Sequence, residues 1–275
     1  MLKTRIQTAL VLLAVLIAVL TVGRPFGFPI FALVMVGVAI GEWLLLLRLS
    51  KLTSIVGAGV MMFVLWVIDA TSMAQAVSIA VWIGATAAWL GLTIGLFVTG
   101  RFPSSQRWRL GYACLALLIP AACWLALVAA YRQGLVFLVS IFAIVWAADI
   151  AAYFAGRAFG KRKLAPAISP GKTWAGAVGG AVATLLLAVV TMLVPQLSDS
   201  FFAVLDRRWS MGVVLLVALV LVVLSVVGDL FESQLKRQRG VKDSSHLLPG
   251  HGGVFDRVDA LLPIVPVALL LGFVA

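Results

Sequence analysis

Two acidic pairs and the basic, glycine-bearing stretch between them are the part of this chain best equipped for chemistry. Asp229 and Glu232 form one pair, Asp256 and Asp259 the other. Each pair is spaced i, i+3, which on a helix puts both carboxylates on one face. Hard oxygen ligands of this kind suit Mg²⁺, which binds through a few carboxylates, waters and substrate phosphates. Between the pairs stand Lys236, Arg237, Arg239 and Lys242, cations able to neutralise a triphosphate and its leaving pyrophosphate. Gly250, Gly252 and Gly253 allow backbone N–H groups to approach phosphate oxygens. Taken singly, such residues also serve as interfacial anchors. Four acids flanking a basic, glycine-rich loop are poorly explained that way. His251, between glycines, reads as a loop hydrogen-bonder or substrate contact rather than a metal ligand, and His246 as structural.

A second polar stretch lies upstream. Asp149 sits inside an apolar run, and an ionisable residue at membrane depth marks function by default; the bland reading makes it a buried partner of Arg157 or another cation. Gly171-Lys172-Thr173 looks like the tail of a phosphate-binding P-loop, but the upstream glycine spacing and the preceding strand are missing. Ser169 or Thr173 instead caps the helix that follows, whose N-terminal amides welcome an anion. Glu42 and Asp69, at or inside span ends, read as structural.

The elements that must position these groups are membrane helices. The chain of 275 residues is 63% hydrophobic and 11% charged, whereas soluble domains carry about 25% charged residues. The net charge of +11 does not indicate nucleic acid, because the basic residues flank apolar spans instead of lining one soluble face. Cys114 and Cys123 share an apolar run and match no zinc spacing. Nine apolar segments approach the roughly 20 residues that cross a bilayer: 6–22, 26–47, 53–69, 76–98, 110–130, 135–155, 174–194, 211–230 and 259–274. The first is read as an uncleaved span, since no small-residue cleavage site follows it. The expected fold is an all-α polytopic bundle of about nine transmembrane helices, a single domain over 1–275, with N-terminal helices over 1–140 and catalytic helices and loops over 141–275. The tryptophans near span ends read as interface anchors.

Alternating the spans from a cytoplasmic N-terminus puts 17 of the 21 basic residues on the cytoplasmic side. Lys3, Arg5, Arg48, Lys51 and Arg101 are among them; Arg24, Arg132, Arg207 and Arg208 fall outside. This bias predicts the N-terminus inside, the C-terminus outside, and both polar loops, about 156–173 and 231–258, facing the cytoplasm.

The stretch Ser233 to Asp259 resembles the signature of the phosphatidate cytidylyltransferase family. The matching positions are Ser233, Leu235, Lys236 and Arg237; Lys242-Asp243; Leu248-Pro249; His251-Gly252-Gly253; and Asp256-Arg257 with Asp259. Trp146-x-x-Asp149-x-x-Ala152-Tyr153 and Ser169-Pro170-Gly171-Lys172-Thr173-Trp174 are similar to the family as well. Coverage is about 146–176 and 225–260, and the first half matches only in hydropathy. Many members carry Lys at Gly171, Glu at Ala175 and Thr at Phe231, so roles resting on those side chains do not transfer.

The resemblance implies Mg²⁺-dependent transfer of the cytidylyl group from CTP to phosphatidic acid, giving CDP-diacylglycerol and pyrophosphate. It places the enzyme in the bilayer of a bacterial inner membrane, with homodimer formation open and a monovalent cation accompanying the Mg²⁺. In the family the aspartates matching Asp229 and Asp256 are associated with a metal centre; taken with the residue reading above, the candidate catalytic residues are Asp229, Lys236, Arg237, Asp256 and Arg257. Substrate contacts fall to Asp149, Ser169, Lys172, Thr173, Ser233, Lys242, Asp243, His251, Gly252 and Gly253. Metal ligation falls to Asp229, Glu232, Asp256 and Asp259. The rival readings are a CTP-dependent transferase or kinase for another membrane lipid and, from a different class, a transporter of a phosphorylated solute. A transporter would need polar residues through several spans, whereas Asp149 is nearly alone in mid-span.

Overall fold

Within hydrocarbon the backbone must satisfy its own hydrogen bonds, and a helix does so within one segment. Every long apolar run of this chain is accordingly helical. The structure, a computed structural model, describes residues 2–71 and 74–274, with side chains from residues 6 to 273 of these. The side chains of Lys3 and Arg5, and Ala275, lie outside the described residues.

The elements run α1 (Leu2–Thr21), α2 (Gly27–Leu46), α3 (Lys51–Asp69), α4 (Ala74–Thr99), α5 (Arg109–Gln133) and α6 (Leu135–Phe159). A hairpin of β1 (Lys163–Ala165) and β2 (Ser169–Thr173) follows, then α7 (Trp174–Leu193), α8 (Phe201–Asp206), α9 (Met211–Arg239), α10 (Phe255–Val258) and α11 (Leu261–Val274). The strands pair antiparallel, Lys163 opposite Thr173 and Ala165 opposite Ser169.

Among the described residues seven helices are long and apolar enough to cross a membrane: α2 to α7 and α9. Two shorter apolar stretches, Ile6–Thr21 and Leu261–Phe273, occupy the remaining expected segments. The last differs from expectation. At 14 residues, α11 rises only about 21 Å, short of a hydrocarbon core of about 30 Å. Leu262, Ile264, Val265, Ala268 and Leu269 are all buried, where α11 packs against α4, α5 and α9. A helix apolar all round is one that is surrounded.

Contacts between connecting segments sort the helix ends into two groups. At one end Thr8 donates to Pro249 O (2.8 Å), Arg109 to Arg48 O (2.8 Å) and Gln234 to Phe102 O (2.7 Å). At the other, Arg132 pairs with Asp69 at 2.8 Å, and Arg24 lines the same cavity as these two.

Three features depart from the sequence expectation. Helix α9 continues to Arg239 and stops at Gly240, whose φ of 77° is the left-handed cap that glycine adopts without strain; residues 231–239 are therefore helix instead of loop. The β hairpin and α8 occupy segments expected to be irregular. Trp43, Trp82, Trp89 and Trp124 are fully buried in the core and are not interface anchors.

Candidate active site

The extension of α9 is what builds the site. It carries Asp229, Glu232, Ser233 and Lys236 one turn apart, on the face opposite Phe231 and Leu235. The Phe231 ring meets the rings of Trp43 (5.2 Å), Phe102 (5.2 Å), Tyr112 (5.4 Å) and Trp89 (5.8 Å), almost all edge-on. This aromatic lock, drawn from α2, α4, the α4–α5 loop and α5, fixes the rotation of α9. The polar face then points at the segment before α11. Position 231 thus looks away from the carboxylates.

Asp229, Glu232 and Asp259 bring ligand oxygens within 4.8 Å of one another. Glu232 is buried (1% exposed), and its Oε2 lies 2.5 Å from Lys236 Nζ. The same ammonium lies 2.6 Å from Asp256 Oδ1. Asp229 Oδ2 pairs with Lys172 Nζ at 2.7 Å, and its Oδ1 accepts from Ser233 Oγ at 3.2 Å.

Asp256 is not one of these three; it borders Glu232 across Lys236, with its own oxygens engaged elsewhere. Its Oδ1 is engaged by Lys236, and its Oδ2 accepts from Ser244 N (2.8 Å), Ser244 Oγ (2.7 Å) and Gly253 N (2.8 Å). Burial works against its charge. Hydrogen-bond contacts with Glu232, Lys236, Ser244 and the Gly253 N–H outweigh that and hold it well below the usual carboxylate range. The loop it organises leaves no room for a side chain at Gly253, where a Cβ would collide with Ser244 Oγ and with the Glu42 carboxylate. Gly252 has a φ of 82°. Glu42, read from sequence as structural, proves to reach this loop from α2 through bonds to Ser244, Ser245, Val254 and Phe255.

A cavity of about 480 Å³ opens between α6, α7 and α9. Asp149, Arg157, Lys172, Thr173 and Asp229 supply its polar wall, and Ala148, Ala152, Ala177, Val222 and Val226 much of its apolar one. The hairpin delivers Lys172 to this wall. Thr173 caps α7 by accepting from Gly176 N at 3.1 Å, one of the two caps expected; Ser169 lies on β2 away from the cavity. Arg157 contacts Tyr153 Oη at 3.3 Å and is not bonded to Asp149. A tight seam forms the back wall. Along α7, Gly176, Gly180, Thr184 and Ala188 make a buried stripe four residues apart. Cβ atoms at the two glycines would lie 2.9 Å from Ala152 O and 3.0 Å from Ala148 O of α6. The small-x-x-x-small spacing was the signal in the sequence for this seam.

Lys242, Asp243, His251, Gly252 and Arg257 line a second cavity of about 500 Å³ beside the same loop. Arg257 donates to His251 O at 2.6 Å. Arg237 is solvent-exposed and makes no ion pair among the described residues, so the two adjacent cations of the motif part company.

The donor set fits a hard divalent cation. Three carboxylates packed this closely, one of them buried and paired with Lys236, favour a further positive charge beside the neighbouring ammonium groups. Oxygen-only ligation at such spacing suits Mg²⁺.

An apolar helical bundle with carboxylates and lysines gathered beside a cavity between its helices is the architecture of a membrane-embedded enzyme working on phosphates. The chain belongs to the cytidylyltransferase family, whose sequence pattern matches residues 3–275. It is 37% identical over 290 residues to the phosphatidate cytidylyltransferase of Haemophilus influenzae, covering 97% of this chain and 96% of that one. The enzyme of the same name from Pseudomonas aeruginosa is 36% identical over 276 residues, 97% and 95% of the two chains. That from Bacillus subtilis is 35% identical over 273 residues, 96% and 95%.

Proposed function

We propose that this chain is an integral membrane phosphatidate cytidylyltransferase, a nucleotidyltransferase that makes CDP-diacylglycerol and pyrophosphate from CTP and phosphatidic acid for phospholipid synthesis. The observation that carries this reading is the gathering of Asp229, Glu232, Asp259, Lys172 and Lys236 beside a cavity whose other walls are apolar faces of α6, α7 and α9. Such a cavity can take a charged head group and the start of its acyl chains together. The relatives' shared name and near-complete coverage support the same substrates here.

In the reaction a phosphate oxygen of phosphatidic acid attacks the α-phosphorus of CTP, and the bond from that phosphorus to the pyrophosphate oxygen breaks. The phosphate monoester is already ionised at neutral pH, so no strong base is needed. Positioning and charge neutralisation do the work. Lys172, held by Asp229, lies where a lipid phosphate enters, with Arg157 on the same wall. Lys236, set between Glu232 and Asp256, supplies positive charge for the departing pyrophosphate. Ser233 orients Asp229. Lys242, Asp243, His251, Gly252 and Arg257 line the neighbouring cavity and suit the nucleotide. Asp229, Glu232 and Asp259 would hold Mg²⁺, which when bound polarises phosphoryl oxygens; a monovalent cation beside it belongs to the same reading. The loops rich in basic residues face the cytoplasm of a bacterial cell, where CTP is found.

Purified protein in mixed micelles is expected to release pyrophosphate from CTP only when phosphatidic acid is present, and to stop on chelation with EDTA. Uptake of a phosphorylated solute into proteoliposomes without pyrophosphate release would favour the transporter reading instead.

A further inference from the structure

Glu42 is an acid in an apolar helix, with its side chain only 3% exposed and no basic partner among the described residues. An isolated buried carboxylate is costly. Here four donors offset that cost, and all of them come from a loop more than 200 residues away in sequence. Oε1 accepts from Ser245 Oγ at 2.5 Å and Val254 N at 3.2 Å. Oε2 accepts from Phe255 N at 2.7 Å and faces Ser244 Oγ at 3.0 Å. Val254 stands at the N-cap of α10 and provides no side-chain cap. The carboxylate of α2 therefore takes backbone N–H groups that would otherwise lack a partner at that helix start.

The hold extends to the site through Ser244. Its hydroxyl lies 3.0 Å from Glu42 Oε2 and 2.7 Å from Asp256 Oδ2, and one hydroxyl hydrogen serves one acceptor at a time. Ser244 thus joins Glu42 to the carboxylate that grips Lys236. The next residue, Trp43, stacks on Phe255 with ring centroids 5.0 Å apart and planes 14° from parallel. Glu42 lines neither of the two cavities beside the site; its reach to the reaction runs only through the loop.

We propose that Glu42 is a positioning residue of this enzyme: it clamps Ser244 to Phe255 so that Asp256 presents Lys236 to the carboxylate cluster. The proposal rests on the reaction assigned above. Glu42→Gln preserves shape but turns an amide NH₂ toward one of the two backbone N–H donors, which cannot reverse as a hydroxyl can. A misplacement of about 1 Å costs on the order of 100-fold. Glu42→Gln is therefore expected to lower kcat at least about tenfold, with both KM values within about threefold. Amide hydrogen exchange over residues 244–256 should accelerate by about tenfold or more while α4 and α5 peptides stay unchanged.

Ser245→Ala removes one donor and leaves both N–H bonds, so a fall in kcat of about threefold is expected. Added to Glu42→Gln it should cost less than the product of the single effects. A wild-type kcat in Glu42→Gln, unchanged exchange, or strictly multiplicative effects would overturn the proposal. If Glu42→Gln does not accumulate, Ser245→Ala decides: wild-type kcat there makes Glu42 a folding residue only. Should the wild-type protein form no CDP-diacylglycerol, the assigned reaction fails, while the exchange comparison still tests the clamp.

Discussion

Lys236 and Arg237 are neighbours in sequence with the same charge, yet their surroundings give them different work. The Lys236 side chain is 13% exposed and touches two carboxylates, whereas Arg237 faces solvent. Charge held inside a water-poor site and aimed at a leaving group is worth far more than charge outside it. Lys236→Ala is expected to lower kcat by about 100-fold or more with modest change in KM. Arg237→Ala should alter kcat/KM by about threefold or less. Steady-state kinetics in mixed micelles separates them, and a large kcat loss in Arg237→Ala would mean that it turns inward when substrate binds. Asp229→Asn should abolish turnover in protein that still folds, because it removes both a proposed metal ligand and the partner of Lys172. Asp256 adds a pH signature. Its pKa in the fold is depressed below the unfolded value of about 3.9. The ionised carboxylate therefore stabilises the fold above that value, and the contribution is lost as pH falls toward the folded pKa. Below about pH 4 the wild type should lose stability more steeply than Asp256→Asn, as followed by tryptophan fluorescence in detergent.

At the scale of elements, hydropathy located the apolar runs because membrane helices are selected on that property alone. It misjudged the end of α9, where Asp229, Glu232, Ser233 and Lys236 interrupt the apolar signal although Leu230, Phe231 and Leu235 keep the helical spacing of a buried face. The motif residues were legible as a set. Their division into a carboxylate cluster, a loop anchor at Asp256 and an exposed Arg237 was not, since that depends on which way α9 is turned by Phe231. Glu42 was missed for a related reason: its partners lie in a distant loop, and no local spacing announces them. The α6–α7 seam is the element whose geometry the cavity needs most. Gly180→Val would push a branched side chain against Ala148 O, only 3.0 Å from an ideal Cβ. Overpacking of this kind costs about 1–3 kcal/mol and would part α6, which carries Asp149, from α7, which follows directly on the strand that carries Lys172. A lower melting temperature with a raised KM for phosphatidic acid is the expected result; Gly212→Ala, where a Cβ meets nothing within 4 Å, is the control expected to change neither.

At the scale of the whole molecule the bundle has two chemically different ends. Contacts join Thr8 to Pro249, Arg48 to Arg109 and Phe102 to Gln234 at the end that holds the carboxylates. The opposite end holds Arg24, Asp69 and Arg132. The first group belongs to segments carrying 17 of the 21 basic residues, and this positive-inside bias supports the proposal that the site faces the cytoplasm. Single cysteines at Lys163 and Arg239 are then expected to react with a membrane-impermeant maleimide only in inverted vesicles or opened cells. The C-terminus is a sharper test, because α11 is short for a crossing and is packed inside the bundle. If α11 crosses by drawing on the thinner bilayer or on tilted neighbours, a reporter fused after Ala275 is exported. If it is a re-entrant helix, tolerated at membrane depth because protein surrounds it, the same reporter stays inside while Lys163 and Arg239 label as before. Export is the outcome expected from the charge distribution. An internal reporter would leave the site where it is and reduce the number of crossings by one.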